Sequence, residues 1–401
     1  MVKKEKNIQT RATIYKPLPK GWKWVRLGDE KVVQIIMGQS PPSFSYNAEG
    51  IGLPFYQGKA EFGKHHPTTV KWCSQPGKIA EADDILMSVR APVGDVNISK
   101  EKSCIGRGLA AIRINKDSLN NKFLYYFFKR DVSMWSKLST GSTFDSITSK
   151  TLLNFAIPIP PLSTQHKIVE ILEEADNLRK LRQQADEKMK DLIPSLFVQM
   201  FGDPATNPKG WEMKKMGEVT NIRRGASPRP MGDPRYFGGA IPWIRISDIH
   251  RNGKFLNDTE DHVTEEGAKR SVYLKAGSLI MAMAASIGTP CFLAVDGCIH
   301  DGFVVFEKLS PKLDKEFLYY FIIAFKDRFV SLAPEGTQKN LNTALIKAVT
   351  LPLPPLTLQQ EFAKLVDDIE AEKARQAESR KKLDELFQSL MQRAFTGELV
   401  A

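Results

Sequence analysis

Histidine and cysteine are the side chains best able to hold a metal or act as nucleophile and base, and this chain spaces them poorly for either task. His65-His66 has no carboxylate or cysteine spacing beside it to complete a metal site, so it reads as a surface or nucleic-acid-facing pair. Cys73, Cys104, Cys291 and Cys298 form no Cys-x-x-Cys motif, and the last two are too isolated for zinc. That usage fits a reduced, cytoplasmic chain. His300-Asp301 lacks a third catalytic partner in the sequence. No Gly-x4-Gly-Lys-Ser/Thr phosphate loop occurs. Nor does an Asn/Asp-Pro-Pro-aromatic tetrapeptide of the amino-methyltransferase kind; Ser40-Pro-Pro-Ser43 is nearest and lacks both amide and ring. The expectation is a chain with no catalytic, metal or cofactor site of its own.

What remains is charge, and it is unevenly placed. Of a net +11, residues 1–160 carry +11, 161–208 carry −2, 209–355 carry +4 and 356–401 carry −2. A polyanion would be drawn to the first and third segments and not to the stretches after them. No apolar run approaches the ~18–20 residues of a spanning helix, and Met1–Thr10 lacks an apolar signal core. The Lys-rich stretch Met1–Pro19 reads as a flexible arm.

The alternation of charge follows a duplication. Gly21-Trp22 recurs as Gly210-Trp211, Gly38-Gln-Ser40-Pro41 as Gly225-Ala-Ser227-Pro228, and Leu53-Pro54-Phe55 as Ile241-Pro242-Trp243. Cys104-Ile105, Phe123-Leu-Tyr-Tyr-Phe127 and Ile157-Pro-Ile-Pro-Pro-Leu162 return as Cys298-Ile299, Phe317-Leu-Tyr-Tyr-Phe321 and Leu351-Pro-Leu-Pro-Pro-Leu356, all at an offset of 194 residues. Cys104 and Cys298 hold equivalent places and read as buried strand residues.

Each copy has two parts. Short β-rich runs such as Ala80–Val89 and Ser278–Met283, broken by Gly and Pro, predict an α+β domain, with FLYYF as a packing helix. A Pro-x-Pro-Pro hinge then ends the domain. A long helix follows, expected to be capped by Ser163 or Thr164 in the first copy and Thr357 in the second. Ile168, Ile171, Ala175, Leu178, Ala185, Met189, Leu192 and Leu196 trace a coiled-coil seam, interrupted at Arg182, and Pro194 predicts a kink or restart. In the second helix Phe362, Leu365 and Ile369 begin the seam and Leu383, Leu386 and Leu390 end it, with polar Glu372, Gln376 and Ser379 between. Helices of ~35 residues span roughly 50 Å. The predicted architecture is therefore α+β: domains at 1–160 and 209–355, helices at 161–208 and 356–401. The helices are expected to pair as an antiparallel coiled coil with pseudo-twofold symmetry, a spacer between two basic readers of half-sites on one duplex.

Several blocks resemble a known family. Arg224-Gly-Ala-Ser-Pro-Arg-Pro with Tyr236-Phe-Gly-Gly and Ile241-Pro-Trp-Ile resembles the opening of a target-recognition domain from Type I restriction–modification specificity subunits. Leu86-Met-Ser-Val-Arg-Ala-Pro-Val-Gly94 and Cys104-Ile-Gly-Arg-Gly108 resemble its central strands. IPIPPL and LPLPPL, each before a Gln-led helix (Gln165, Gln359), resemble its domain-to-helix joint, and Phe395-Thr-Gly-Glu-Leu399 its ending. The resemblance implies a bipartite double-stranded DNA target and a complex with two adenine-methylating modification subunits and two motor-nuclease restriction subunits. It places S-adenosylmethionine, ATP and Mg²⁺ on those partners.

Base edges are read by Arg or Lys at guanine and Asn or Gln at adenine, while Ser and Thr position phosphates. Gly/Pro-rich loops and repeat matches select Gln39, Ser40, Lys59, Arg90, Arg107, Ser142 and Thr143 in the first domain. In the second they select Arg224, Ser227, Arg229, Arg245, Thr337, Gln338, Lys339 and Asn340. Arg90 and Arg107 could instead close a domain against a carboxylate, as strand arginines often do; their counterparts Ala284 and Asp301 are not basic, so either the two domains read different bases or these arginines are structural. The rival readings are a nuclease or methyltransferase with an unrecognised active site, and a stand-alone DNA-binding regulator.

Overall fold

A computed structural model of the chain describes residues 18–130, 132–139, 146–334 and 340–400. The expected N-terminal arm lies outside them apart from its last two residues. The described residues fall into two units, one built from those up to 183 and those from 378, the other from 184–377.

In the first unit, strands Lys23–Arg26 and Ala156–Ile159 pair antiparallel and clasp the domain where its chain enters and leaves. Between them lies a four-stranded sheet in the order Val33–Met37, Leu109–Ile114, Ile85–Ser88, Val96–Ile98. A five-stranded sheet runs Tyr46–Asn47, Trp72–Cys73, Leu53–Tyr56, Ser103–Ile105, Ile79–Ala80. The expected run Ala80–Val89 is thus two strands, because Asp83 takes a positive φ of 70° and turns the chain between them. The second unit repeats the plan: a Met213–Lys215/Thr350–Pro352 clasp and two sheets. In both units the strand ending in the Leu53–Tyr56 or Phe237–Ile244 block pairs parallel with the cysteine strand. Cys104 and Cys298 are fully buried there.

FLYYF forms helices Asn121–Arg130 and Lys315–Ala324, and all five residues of each motif are buried. Each is covered by the far end of a long helix. In the first unit Phe395 lies 5.2 Å from the rings of both Phe123 and Phe127. In the second unit Phe197 and Phe201 lie 5.6 and 4.8 Å from Phe317. The chain thereby closes each core with a segment remote from that copy's own long helix.

The long helices occupy Leu162–Lys190, Leu192–Phe201 and Leu356–Ala394. Within the first unit Arg179 Nε donates to Asp384 Oδ1 at 2.6 Å and its guanidinium stacks 4.5 Å from the Phe387 ring. Within the second, Phe197 and Phe201 meet Phe362 at 5.6 and 5.3 Å. Along the chain, Arg179 meets the last turns of Leu356–Ala394, and the later Phe197 and Phe201 meet its first turns, which is antiparallel pairing.

Two details differ from expectation. The buried face of Leu162–Lys190 is Gln165, Ile168, Val169, Leu172, Ala175 and Asp176. Leu178 is 48% exposed and Leu192 41%. A broad face at spacings of three, four and seven suits packing on a globular domain, whereas the narrow coiled-coil stripe suits a lone partner helix. The helix then restarts after Asp191, with Pro194 in the first turn where its missing N–H has no helical carbonyl to serve. The expected caps also fail. The helices start at Leu162 and Leu356, so Ser163, Thr164 and Thr357 fall inside the first turn.

Gln165 and Gln359, both fully buried, act at the joint instead. Gln165 Nε2 donates to the carbonyls of Pro160 and Ser118, and its Oε1 accepts from the Asn120 N–H at 2.7 Å. Gln359 repeats this with Pro354, Lys312 and the Asp314 N–H at 2.8 Å. One amide satisfies three backbone groups and locks helix to hinge.

Candidate nucleic-acid interface

Those of the polar residues chosen from the sequence that are described converge on one end of the sheets in each unit. In the first unit the Gly38 N–H donates to Leu109 O at 2.9 Å and Gln39 N–H to Ile105 O at 3.1 Å, which lays this loop across the cysteine strand's end. A Cβ at Gly38 would stand 2.2 Å from Gly106 O, so only glycine allows the approach. The Ser40 hydroxyl then accepts the Arg107 N–H at 3.3 Å. Gly106 N–H donates to Tyr56 O, bringing the Gln57–Lys59 turn alongside, and Val89 N–H donates to Gly108 O, bringing Arg90. Gln39, Ser40, Lys59, Arg90 and Arg107 therefore share one rim. Lys59 is tethered by Asp95 at 2.7 Å. Arg90 and Arg107 are exposed, and Arg90 bridges to Ser146 through the backbone. Among the described residues neither forms a carboxylate ion pair, unlike Arg113, which Asp84 holds at 2.8 Å. Ser142 and Thr143 lie outside the described residues.

The second unit uses the same frame. Gly225 N–H donates to Phe303 O, Ala226 N–H to Ile299 O, His300 N–H to Ile244 O and Met283 N–H to Gly302 O. A Cβ at Gly225 would stand 2.2 Å from His300 O. Ser227 Oγ accepts the Asp301 N–H at 3.2 Å, as Ser40 does with Arg107. The side chains on this frame differ. Arg224 Nε donates to Asp301 O at 2.8 Å, Ser227 Oγ to Asp301 Oδ1 at 2.9 Å and Arg229 Nη2 to Asp301 Oδ2 at 3.4 Å. Arg245 follows strand Phe237–Ile244 onto the same rim, but its guanidinium is held by Asp261 at 2.6 Å. Asn340 pairs with Ala284 as Ser146 does with Arg90. Thr337, Gln338 and Lys339 lie outside the described residues.

Electrostatics sharpen the second rim. Burial lowers the His300 pKa; Asp301 opposes this, while Arg245, Arg229 and Arg224 add to it. Partial burial works against ionising Asp301, but the Ser227 hydroxyl, His300, Arg229 and Arg224 outweigh it and hold the carboxyl below its usual range. The His300–Asp301–Ser227 group does not have the order of a catalytic triad. Ser227 Oγ donates to the carboxylate, not to the imidazole, and His300 Nδ1 accepts from the Gly302 N–H at 2.8 Å. The sequence reading missed Asp301 and His300 as parts of this rim. The mismatch of Arg107 with Asp301 across the repeat was the signal that could have found them.

His65 corrects another expectation. It is half-buried with Nε2 3.5 Å from Asp176 Oδ2, while His66 stays exposed at the surface as expected, its Nδ1 2.8 Å from Ile98 O. A groove of about 1020 Å³ runs there, between His65, Tyr125 and Tyr126 on the domain and His166, Glu173 and Asn177 on the helix. Its lining sets Asp83, Glu170, Glu173 and Glu174 against Lys116, Lys122 and Lys180, so it has no cationic surplus for phosphates.

Comparison with known proteins agrees with the geometry. The model of the type I restriction modification DNA specificity domain matches residues 19–190 and again 208–385. A candidate specificity subunit of type I restriction enzyme MjaX from Methanocaldococcus jannaschii is 47% identical over 185 residues, 45% of this chain and 44% of that protein. The MjaIX specificity subunit of the same organism is 25% identical over 92% of this chain and 91% of its own. In fold, the chain resembles one from a structural study of assembly and conformational transition in the type I R-M system, with a TM-score of 0.69, 20% identity and coverage of 96% of this chain and 100% of that one. It also resembles the HsdS subunit of Thermoanaerobacter tengcongensis, with a TM-score of 0.58, 20% identity and coverage of 96% and 99%. With two matched domains, one repeated fold and two polar rims on one frame, the chain belongs to the type I restriction–modification DNA specificity family.

Proposed function

We propose that this chain is the DNA-reading subunit of a type I restriction–modification complex, each rim reading one half of a bipartite target. The observation that carries this reading is the duplicated frame. The same backbone hydrogen bonds present Gln39, Ser40 and Arg107 in one unit and Ala226, Ser227 and Asp301 with its arginines in the other. One scaffold with two side-chain sets suits two different half-sites. The segmental charge, basic in the domains and slightly acidic in the helices, supports DNA contact by the former and protein contact by the latter.

The same reading gives the chain no chemistry of its own. Two modification subunits binding S-adenosylmethionine would methylate adenine, and two motor-nuclease subunits using ATP and Mg²⁺ would cleave. The Ser227 hydroxyl donates to the Asp301 carboxylate and not to the His300 imidazole, so no Ser–His–Asp relay is assembled, which supports that division. Such a complex works on DNA in the cytoplasm; no helix among the described residues is long and apolar enough to cross a membrane. The test is co-purification of the chain with the products of its neighbouring genes and mapping of adenine methylation. A split motif methylated only when the chain is present supports the proposal. Methylation or cleavage by the purified chain alone overturns it.

A further inference from the structure

Asp301 is an anomaly on a surface meant for a polyanion. A carboxylate there repels phosphates, yet it is 28% exposed at the centre of the second rim and its neighbours converge on it. Ser227 gives and takes a hydrogen bond with it, Arg224 holds its carbonyl, and Arg229 reaches its free oxygen. Both guanidiniums stay mostly open, at 57% and 65% side-chain exposure. In the first unit the equivalent position is Arg107, itself exposed beside Ser40. The repeat therefore delivers a guanidinium to this part of the rim in both units by different routes: directly from the cysteine-strand turn in one, and from the opposite loop, gathered by a carboxylate, in the other.

We propose that Asp301 is a positioning residue that fixes Arg229, with Arg224, for bidentate contact with a guanine in the half-site read by the second domain. The chemistry is specific. A guanidinium free to rotate binds any phosphate, whereas Arg229, held through Nη2 by the Asp301 carboxylate at 3.4 Å, is restricted in orientation and keeps its remaining N–H groups for guanine O6 and N7. Asp301 neutralises only one of the two charges of Arg224 and Arg229, and Arg245 is paired with Asp261, so the rim keeps a cationic surplus of one guanidinium. The inference rests on the proposed DNA-reading role and assigns the base class read by that site.

The sign of the effect separates positioning from simple electrostatics. If Asp301 only repels DNA, Asp301→Asn raises affinity for every duplex. If it positions, Asp301→Asn weakens the specific duplex while leaving or raising affinity for the scrambled one. The complex with the modification subunits is titrated with a duplex bearing the mapped methylation motif and with one whose second half-site is scrambled. The expected result is a fall of about tenfold in the specific-to-scrambled ratio, the equivalent of one bidentate pair with a base. Ser227→Ala, which leaves the charges in place, should shift the ratio the same way by less. Replacing guanine with 7-deazaguanine in the second half-site should weaken wild type but add nothing to Asp301→Asn. Affinities that rise together, or a second half-site without guanine, overturn the proposal. If Arg107→Ala, Arg229→Ala and Asp301→Asn all leave binding and motif unchanged, the proposed function of these rims falls with it. If the arginine variants lose binding and Asp301→Asn does not, the positioning role alone falls.

Discussion

At the residue scale, His300 ties stability to pH. Its folded pKa is held below the ordinary 6.5 by burial, so the unfolded chain takes up a proton first as pH falls. The stabilisation is complete above that ordinary value and is lost as pH drops through it towards the folded pKa. Protonation also removes the Nδ1 acceptor used by the Gly302 N–H and adds a cation beside three arginines. His65 shifts in the same direction, its burial aided by Lys180 and Lys129. Acid melting curves should therefore flatten partly in His300→Gln and partly in His65→Gln; wild-type slopes in both would contradict these assignments. Gln165 and Gln359 supply a larger test. Replacing either with Leu strands a buried N–H and two carbonyls, and should destabilise its unit by about 2–4 kcal/mol, read as a lowered denaturant midpoint. The sequence marks both glutamines as leading their helices, but a side chain reaching back to a preceding loop leaves no periodic trace.

At the element scale, what carried information was repetition and periodicity. The FLYYF helices and buried cysteine strands were legible because apolar runs are tied to packing. The restart near Pro194 was legible because proline lacks an N–H. The seam was misread because Leu178 and Leu192 satisfy heptad spacing equally well, and sequence does not say whether a helix faces one helix or a domain. That Phe395 and Phe201 complete opposite cores was hidden too, since the pairing is non-local. Both should matter: Phe395→Ala and Phe201→Ala each remove a buried ring and should destabilise the first and second unit by about 3–5 kcal/mol. Hydrogen exchange would localise each effect, and loosening confined to the helices would contradict the packing described.

At the scale of the whole molecule, the duplicated frame makes readout modular. The rim loops were legible as Gly/Pro-rich punctuation, and the structure brings Gln39, Ser40, Lys59, Arg90 and Arg107 together on one of them and Arg224, Ser227, Arg229, Arg245 and Asn340 on the other. Which side chains pair with which was not legible, because ion pairs such as Arg245–Asp261 depend on how loops cross. Removing cations should also lower the salt dependence of binding. Each phosphate left without its cation reduces the slope of log K against log salt by about 0.9, whereas removing a hydrogen bond to a base should leave the slope unchanged and change the sequence read. The most direct measurement is genome-wide adenine methylation by the complex carrying Arg107→Ala or Arg229→Ala. The account predicts one split motif for the wild type, relaxed only in one half by the first variant and only in the other half by the second. A motif unchanged by both, or relaxed in the same half by each, would contradict the claim that this chain reads DNA through two equivalent rims.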